Sequence, residues 1–174
     1  MALTGSPFPS VVSPHRGPRV VFRNLGDGRL EDVTERSGPG PVAPHSSRGA
    51  AFGDFDNDGD VDVLVMNMNE PPSLLRNDLQ SRNGWLAVKL EGTRSNRFGL
   101  GATVVVSAGG RTQARAVLSQ ASYYSHDDLR LHFGLGSATK AGTVEVRWPS
   151  GLVETWKDVP GRRVVTLREG SAGR

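Results

Sequence analysis

The chain is expected to be all-β, and two observations carry that expectation. Short apolar or alternating runs are separated by Gly, Pro, Asn and Asp about every ten residues, which is strand-and-turn punctuation. No stretch of ten residues carries the apolar stripe of an amphipathic helix. A chain of 174 residues has room for one ordinary domain, or one domain and part of another.

After the break at Pro18, residues 19–23 read as the first ordered run. Asp27-Gly28 reads as a tight turn and residues 30–33 as the strand that follows. Residues 37–47 hold three prolines among small polar breakers and read as a loop. Strands are expected at 48–52 and 61–66, with 73–76 pairing back across Asn69-Glu70-Pro71-Pro72. These belong to a first unit, residues 19–78. A polar bridge at residues 77–84 then marks a boundary.

The second unit, residues 84–168, starts on 85–90, where Trp85, Ala87 and Lys89 face one way and Leu86, Val88 and Leu90 the other. Residues 102–107 and 112–118 flank Gly109-Gly110, a two-residue hairpin turn. Leu129, Leu131 and Phe133 alternate with Arg130 and His132, and Val144, Val146 and Trp148 alternate with Glu145 and Arg147. Pro149-Ser150-Gly151 turns the chain into residues 152–156, and 164–167 closes the set. Six or seven strands over about 85 residues make a sandwich or a barrel. The Pro, Ser and Gly-rich segment 1–18 and the tail 169–174 read as poorly ordered ends.

Composition removes several function classes. There is no cysteine, which excludes disulfides, thiol chemistry and Cys-based zinc sites. The four histidines are scattered, with no His-x-x-x-His spacing. No apolar run is long enough to span a membrane, and residues 1–18 lack the basic-then-apolar pattern of a signal peptide. The calculated pI is near 9.8 but the net charge is only +3, with basic residues spread singly, so no nucleic-acid partner is expected.

The strongest motif is Asp54-Phe55-Asp56-Asn57-Asp58-Gly59-Asp60-Val61-Asp62. Five carboxylates at alternate positions repel one another at neutral pH, and a hard divalent cation relieves that repulsion. Calcium accepts several oxygens in a flexible shell. Asp54, Asp56, Asp58 and Asp62 are the expected side-chain ligands, Asp60 the expected backbone-carbonyl ligand, and Gly59 the sharp turn. An EF-hand opens the same way but requires Glu at position 12, where this chain has Val65. The flanking Val61, Val63 and Val65 continue into a strand instead of a helix.

Other candidate chemistry has an ordinary structural reading. Ser122, Tyr123, Tyr124, Ser125, His126 and Asp127 lie together, but catalytic triads are assembled from distant segments; a polar hairpin with Tyr123 or Tyr124 packed inward fits better. Gly99-Leu100-Gly101 and Gly134-Leu135-Gly136 lack a phosphate-loop pattern and read as turns or bulges. Trp85, Trp148 and Trp156 can form a sugar platform or simply pack. No acid–base pair for catalysis appears outside the Asp loop.

Two stretches resemble known families. Residues 21–28 (VFRNLGDG) with 30–34 (LEDVT) resemble the signature that precedes FG-GAP repeats, and Ala51-Phe52-Gly53-Asp54 through Leu64 resembles the FG-GAP (VCBS) repeat itself. From Trp85 to Val165 the chain resembles the ASPIC/UnbV domain of the cartilage acidic protein and bacterial UnbV-like family. The matching pieces include Gly92-Thr93-x-Ser95-Asn96, Leu131-His132-Phe133-Gly134-Leu135-Gly136 and Val144-Glu145-Val146-Arg147-Trp148-Pro149-Ser150-Gly151.

The resemblance implies a partial β-propeller blade joined to a β-sandwich or barrel-like domain, with Ca²⁺ in the Asp loop as in integrin α-subunits. It further implies a secreted, periplasmic or cell-surface setting, a binding or adhesion role, and an unknown protein or carbohydrate ligand. The competing implication is an accessory protein or enzyme of an enediyne-type biosynthetic pathway. Family members carry enough repeats to close a propeller, whereas one clear repeat stands here. The chain is therefore expected to be the C-terminal piece of a longer β-propeller protein.

Overall fold

A computed structural model describes residues 16–79, 81–120, 122–123 and 125–173. They fall into two compact units. Of the described residues, one unit takes in those up to Phe52 and those within Asp62–Asn77 and Ser122–His126; the other takes in those within Gly53–Val61, Asp78–Ala121 and Asp127–Arg174. The fold is all-β, as the sequence predicts.

In the first unit, β1 (Phe22–Asn24) and β2 (Leu30–Asp32) pair antiparallel. The connection is wider than the expected Asp27-Gly28 turn. Leu25 donates its N–H to the Arg29 carbonyl at 3.0 Å, and both Gly26 and Gly28 take positive φ. The side chains of Asn24 and Asp27 accept the N–H groups of Gly26 and Arg29, so polar side chains close the loop locally. The loop expected at 37–47 contains one helical turn, Pro39–Val42, preceded by a 3-10 turn at Glu35–Ser37. Proline at the first helical position costs no hydrogen bond, so the prolines that read as breakers start this turn.

A three-stranded sheet follows, ordered β3 (Ser47–Gly53), β4 (Asp62–Asn67), β5 (Ser73–Leu75). Arg19, only 1% exposed, organises it. Its guanidinium donates to Ser47 Oγ at 3.1 Å, the Gly40 carbonyl at 2.9 Å, Asn67 Oδ1 at 3.2 Å and Ser73 Oγ at 2.8 Å. One planar fork thus links the helical turn to all three strands, and neutral acceptors offset the cost of burying it. Segment 1–18, read as poorly ordered, lies mostly outside the described residues. Within it, Gly17 is bridged to His45 by hydrogen bonds of 3.2 and 3.1 Å, an isolated antiparallel pair outside the strands. Of the two tyrosines expected to offer one inward-packed ring, Tyr123 is exposed and Tyr124 lies outside the described residues.

The second unit contains two sheets. β11 (Val153–Pro160), β10 (Lys140–Arg147), β7 (Thr103–Ala108) and β8 (Arg111–Ala116) form one, and β12 (Arg163–Arg168), β6 (Gly84–Glu91) and β9 (Leu131–Gly136) the other. Alternate residues supply the core: Leu86, Val88, Phe133 and Leu167 from the three-stranded sheet, and Val104, Val106, Val144 and Val146 from the four-stranded one. Apolar faces from both sheets share one core, which is a sandwich, and among the described residues no barrel closes. Gly109 and Gly110 have φ of 55° and 75°, the left-handed pair that a two-residue hairpin requires. The tryptophans pack. Trp148 is buried and donates its indole N–H to Glu154 at 2.8 Å, and Trp156 lies against the core.

The residues after β12 depart from the expected tail. Glu169 is 3% exposed, and Gly170 and Ala172 donate their N–H groups to the Glu154 carboxylate at 2.9 and 2.8 Å. A carboxylate surrounded by backbone donors anchors this segment.

Candidate metal centre

The Asp loop leaves β3 at Gly53 and enters β4 at Asp62. Positive φ at Asn57 (61°) and Gly59 (100°) turns it back on itself, as local hydrogen-bonding Asn and side-chain-free Gly permit. The turn brings one oxygen each from Asp54, Asp56 and Asp58 within 4.8 Å of one another. Asp54 is buried while Asp56 and Asp58 are exposed, so the three form a cluster open on one side.

Asp54 is the informative member. Its Oδ2 accepts the N–H of Gly59 at 3.0 Å. Its Oδ1 is buried and has no hydrogen-bond partner among the described residues. A buried, unpaired carboxylate oxygen is costly unless a cation meets it. The donor set is all oxygen, which suits a hard divalent ion and not a thiolate- or imidazole-seeking one. The cluster therefore can hold a metal ion.

The other two predicted ligands lie outside that carboxylate cluster. Asp60 donates its N–H to Asp58 Oδ1 at 2.8 Å. The Asp62 carboxylate is 2% exposed and accepts the N–H of Asn77 at 2.8 Å.

Sequence reasoning missed what surrounds the loop. Residues Gly53–Val61 lie in the same compact unit as the sandwich. Arg130, just before β9, donates to the Asp54 carbonyl at 2.6 Å and to Asn57 Oδ1 at 2.5 Å, and pairs with Asp128 at 2.5 Å. His132 on β9 meets the Gly59 carbonyl at 2.7 Å. A carbonyl only accepts, so the His132 Nε2 carries a proton. The His132 ring stacks on Trp85 of β6, centroids 5.8 Å apart and planes at 16°. Glycine at position 59 has a second cause here: a Cβ would fall 2.0 Å from Trp85 Nε1. Gly53 likewise lies against Asp128, whose Cβ would be 3.0 Å from an added one. The only advance signal was polar residues on strand faces, and such residues usually face water.

Two family models match the chain. A family model described as "FG-GAP-like repeat" matches residues 9–65, and one described as "ASPIC and UnbV" matches residues 92–174. Cartilage acidic protein 1 of Homo sapiens is 32% identical over 145 residues, covering 80% of this chain and 21% of that protein. The Mus musculus protein of the same name is also 32% identical over 145 residues, covering 80% and 22%. That of Xenopus tropicalis is 30% identical over 149 residues, covering 81% and 23%. The chain thus spans about a fifth of the length of these curated relatives. Among the described residues, no helix is long and apolar enough to cross a membrane. This chain belongs with the proteins that join an FG-GAP-like repeat to an ASPIC and UnbV domain.

Proposed function

We propose that the chain is a calcium-stabilised, non-catalytic binding or adhesion module that works outside the cytoplasm, with Ca²⁺ in a structural role. The observation that carries the metal is the buried Asp54 Oδ1, without a partner among the described residues, beside oxygens of Asp56 and Asp58. Asp54, Asp56 and Asp58 would hold the ion through carboxylates, with the Asp60 carbonyl as a further oxygen. The bound ion supplies charge neutralisation and no reaction step. The extracytoplasmic setting and the protein or carbohydrate ligand rest on family likeness alone.

Melting in calcium and in EDTA tests the metal. Calcium should raise the melting temperature, and Asp58→Ala should remove the difference. At a hundredfold excess over Kd the expected stabilisation is about 2.7 kcal/mol. Identical melts of the unaltered chain in both buffers would count against the reading.

One surface supports a larger assembly. Leu64 and Met66 on β4, Met68 beyond it, and Leu74 opposite Leu64 on β5 are all exposed. Alternate positions and cross-strand partners share a face, so these side chains make one apolar patch. We take further β-propeller chain as its cover. Bright fluorescence of an anilinonaphthalene dye, lost in Leu64→Ser/Met66→Ser, is expected; a dark wild type would refute an open patch.

A further inference from the structure

We propose that Arg130, His132 and Trp85 are positioning residues of the metal loop, holding it on the sandwich so that its carboxylates converge before an ion arrives. The inference rests on the calcium reading above and asks what prepares the loop for it.

Three carboxylates at this spacing repel, so an unsupported loop would open when empty. The contacts of Arg130 and His132 oppose that opening at both ends. Arg130 grips the start of the loop through the Asp54 carbonyl and its crest through Asn57 Oδ1. His132 grips the Gly59 carbonyl, five residues after Asp54. Trp85 backs the His132 end: it stacks on His132 and lies where any side chain at position 59 would go. These groups touch backbone carbonyls and one neutral amide oxygen, not the oxygens of Asp54, Asp56 and Asp58 that would meet the ion. Their chemistry is that of outer partners that orient ligands.

A positive charge beside a cation site also has a cost. Arg130 offsets it by pairing with Asp128 at 2.5 Å, which leaves its planar fork to act through geometry. Lysine in its place keeps the charge and loses the fork, so that substitution separates the two effects.

The test is calorimetric titration of the whole chain with calcium chloride. Arg130→Lys and His132→Phe should each weaken binding by about 10–100-fold, the usual effect of losing an outer partner. His132→Gln, whose amide can still donate to the Gly59 carbonyl, should recover most of it. A role confined to general stability would lower the melting temperature in EDTA and leave affinity unchanged. Hydrogen exchange of the unaltered chain in EDTA gives a second readout: amides of residues 54–61 should be protected. Unchanged affinity in both variants, or full exchange of the loop in EDTA, would overturn the proposal. Heat in the wild type with unaffected variants sinks this inference alone; no heat in the wild type sinks the calcium reading and this inference with it.

Discussion

Asp54→Asn is expected to shift thermal stability in opposite directions with and without calcium. Asparagine has nearly the same shape, and its amide oxygen can still accept the Gly59 N–H that Asp54 Oδ2 accepts at 3.0 Å. The amide nitrogen then takes the place of Oδ1, the buried oxygen without a partner among the described residues. In EDTA the substitution removes one of three carboxylates lying within 4.8 Å of one another, and the new N–H₂ can donate to the others. Relief of that repulsion is worth about 1 kcal/mol at water-like screening. The variant should therefore melt slightly higher than the wild type in chelator. In calcium the order reverses, because a donor now points where the ion would sit. Losing about 2.7 kcal/mol of linkage lowers the melting temperature by about 5–10 °C for a chain of this size. Paired melts of both proteins in both buffers check this. A variant less stable in both would mean that Oδ1 has a purely structural role.

The second large effect concerns Glu169. Its Oε2 accepts the N–H groups of Thr93, Arg94 and Ser95 at 2.8, 2.7 and 2.7 Å. Its Oε1 accepts the hydroxyls of Ser95 and Ser150 at 3.0 and 2.5 Å. Glu169→Ala leaves these donors without an acceptor in a partly buried site, which costs about 2–4 kcal/mol and about 5–15 °C in melting temperature. The same contacts set a pH dependence. Burial alone raises the Glu169 pKa, but the Ser150 hydroxyl and the backbone donors outweigh it and bring it from 4.5 down to about 2. The folded chain therefore holds this carboxylate ionised where the unfolded chain has taken up a proton. The stabilisation is complete above pH 4.5 and is lost as the pH falls through 4.5 toward about 2. Wild type and Glu169→Ala should accordingly converge in acid. A gap as wide at pH 2.5 as at pH 7 would contradict this, since most of the loss should have occurred by then.

Much of the fold was legible because local chemistry fixed it. Leu86, Val88 and Leu90 alternate with Trp85, Ala87 and Lys89, and β6 buries the first set in the core. Gly109-Gly110 marks a hairpin because only such residues take left-handed φ twice in succession without strain. What stayed hidden depended on distance in sequence. Arg130 and His132 read as the outward half of an alternating strand, and nothing local says that a loop more than seventy residues earlier covers them. Glu169 read as tail because it follows the last apolar alternation; its donors lie on residues 93–95 and 150. The Gly92-Thr93-x-Ser95-Asn96 motif, which carried the resemblance without a reason, turns out to wrap that carboxylate. Position 92 admits only glycine, because a Cβ would lie 2.1 Å from the Asn96 carbonyl oxygen. Arg19 was missed because a lone arginine is ordinarily a surface residue.

The central claim is that the oxygens of Asp54, Asp56 and Asp58 enclose a calcium ion. Crystals grown in calcium chloride and measured at a wavelength long enough for calcium to scatter anomalously address it most directly. The account predicts one anomalous peak among those oxygens, at about 2.3–2.6 Å from each ligand. A well-ordered loop with only water at that position would contradict it.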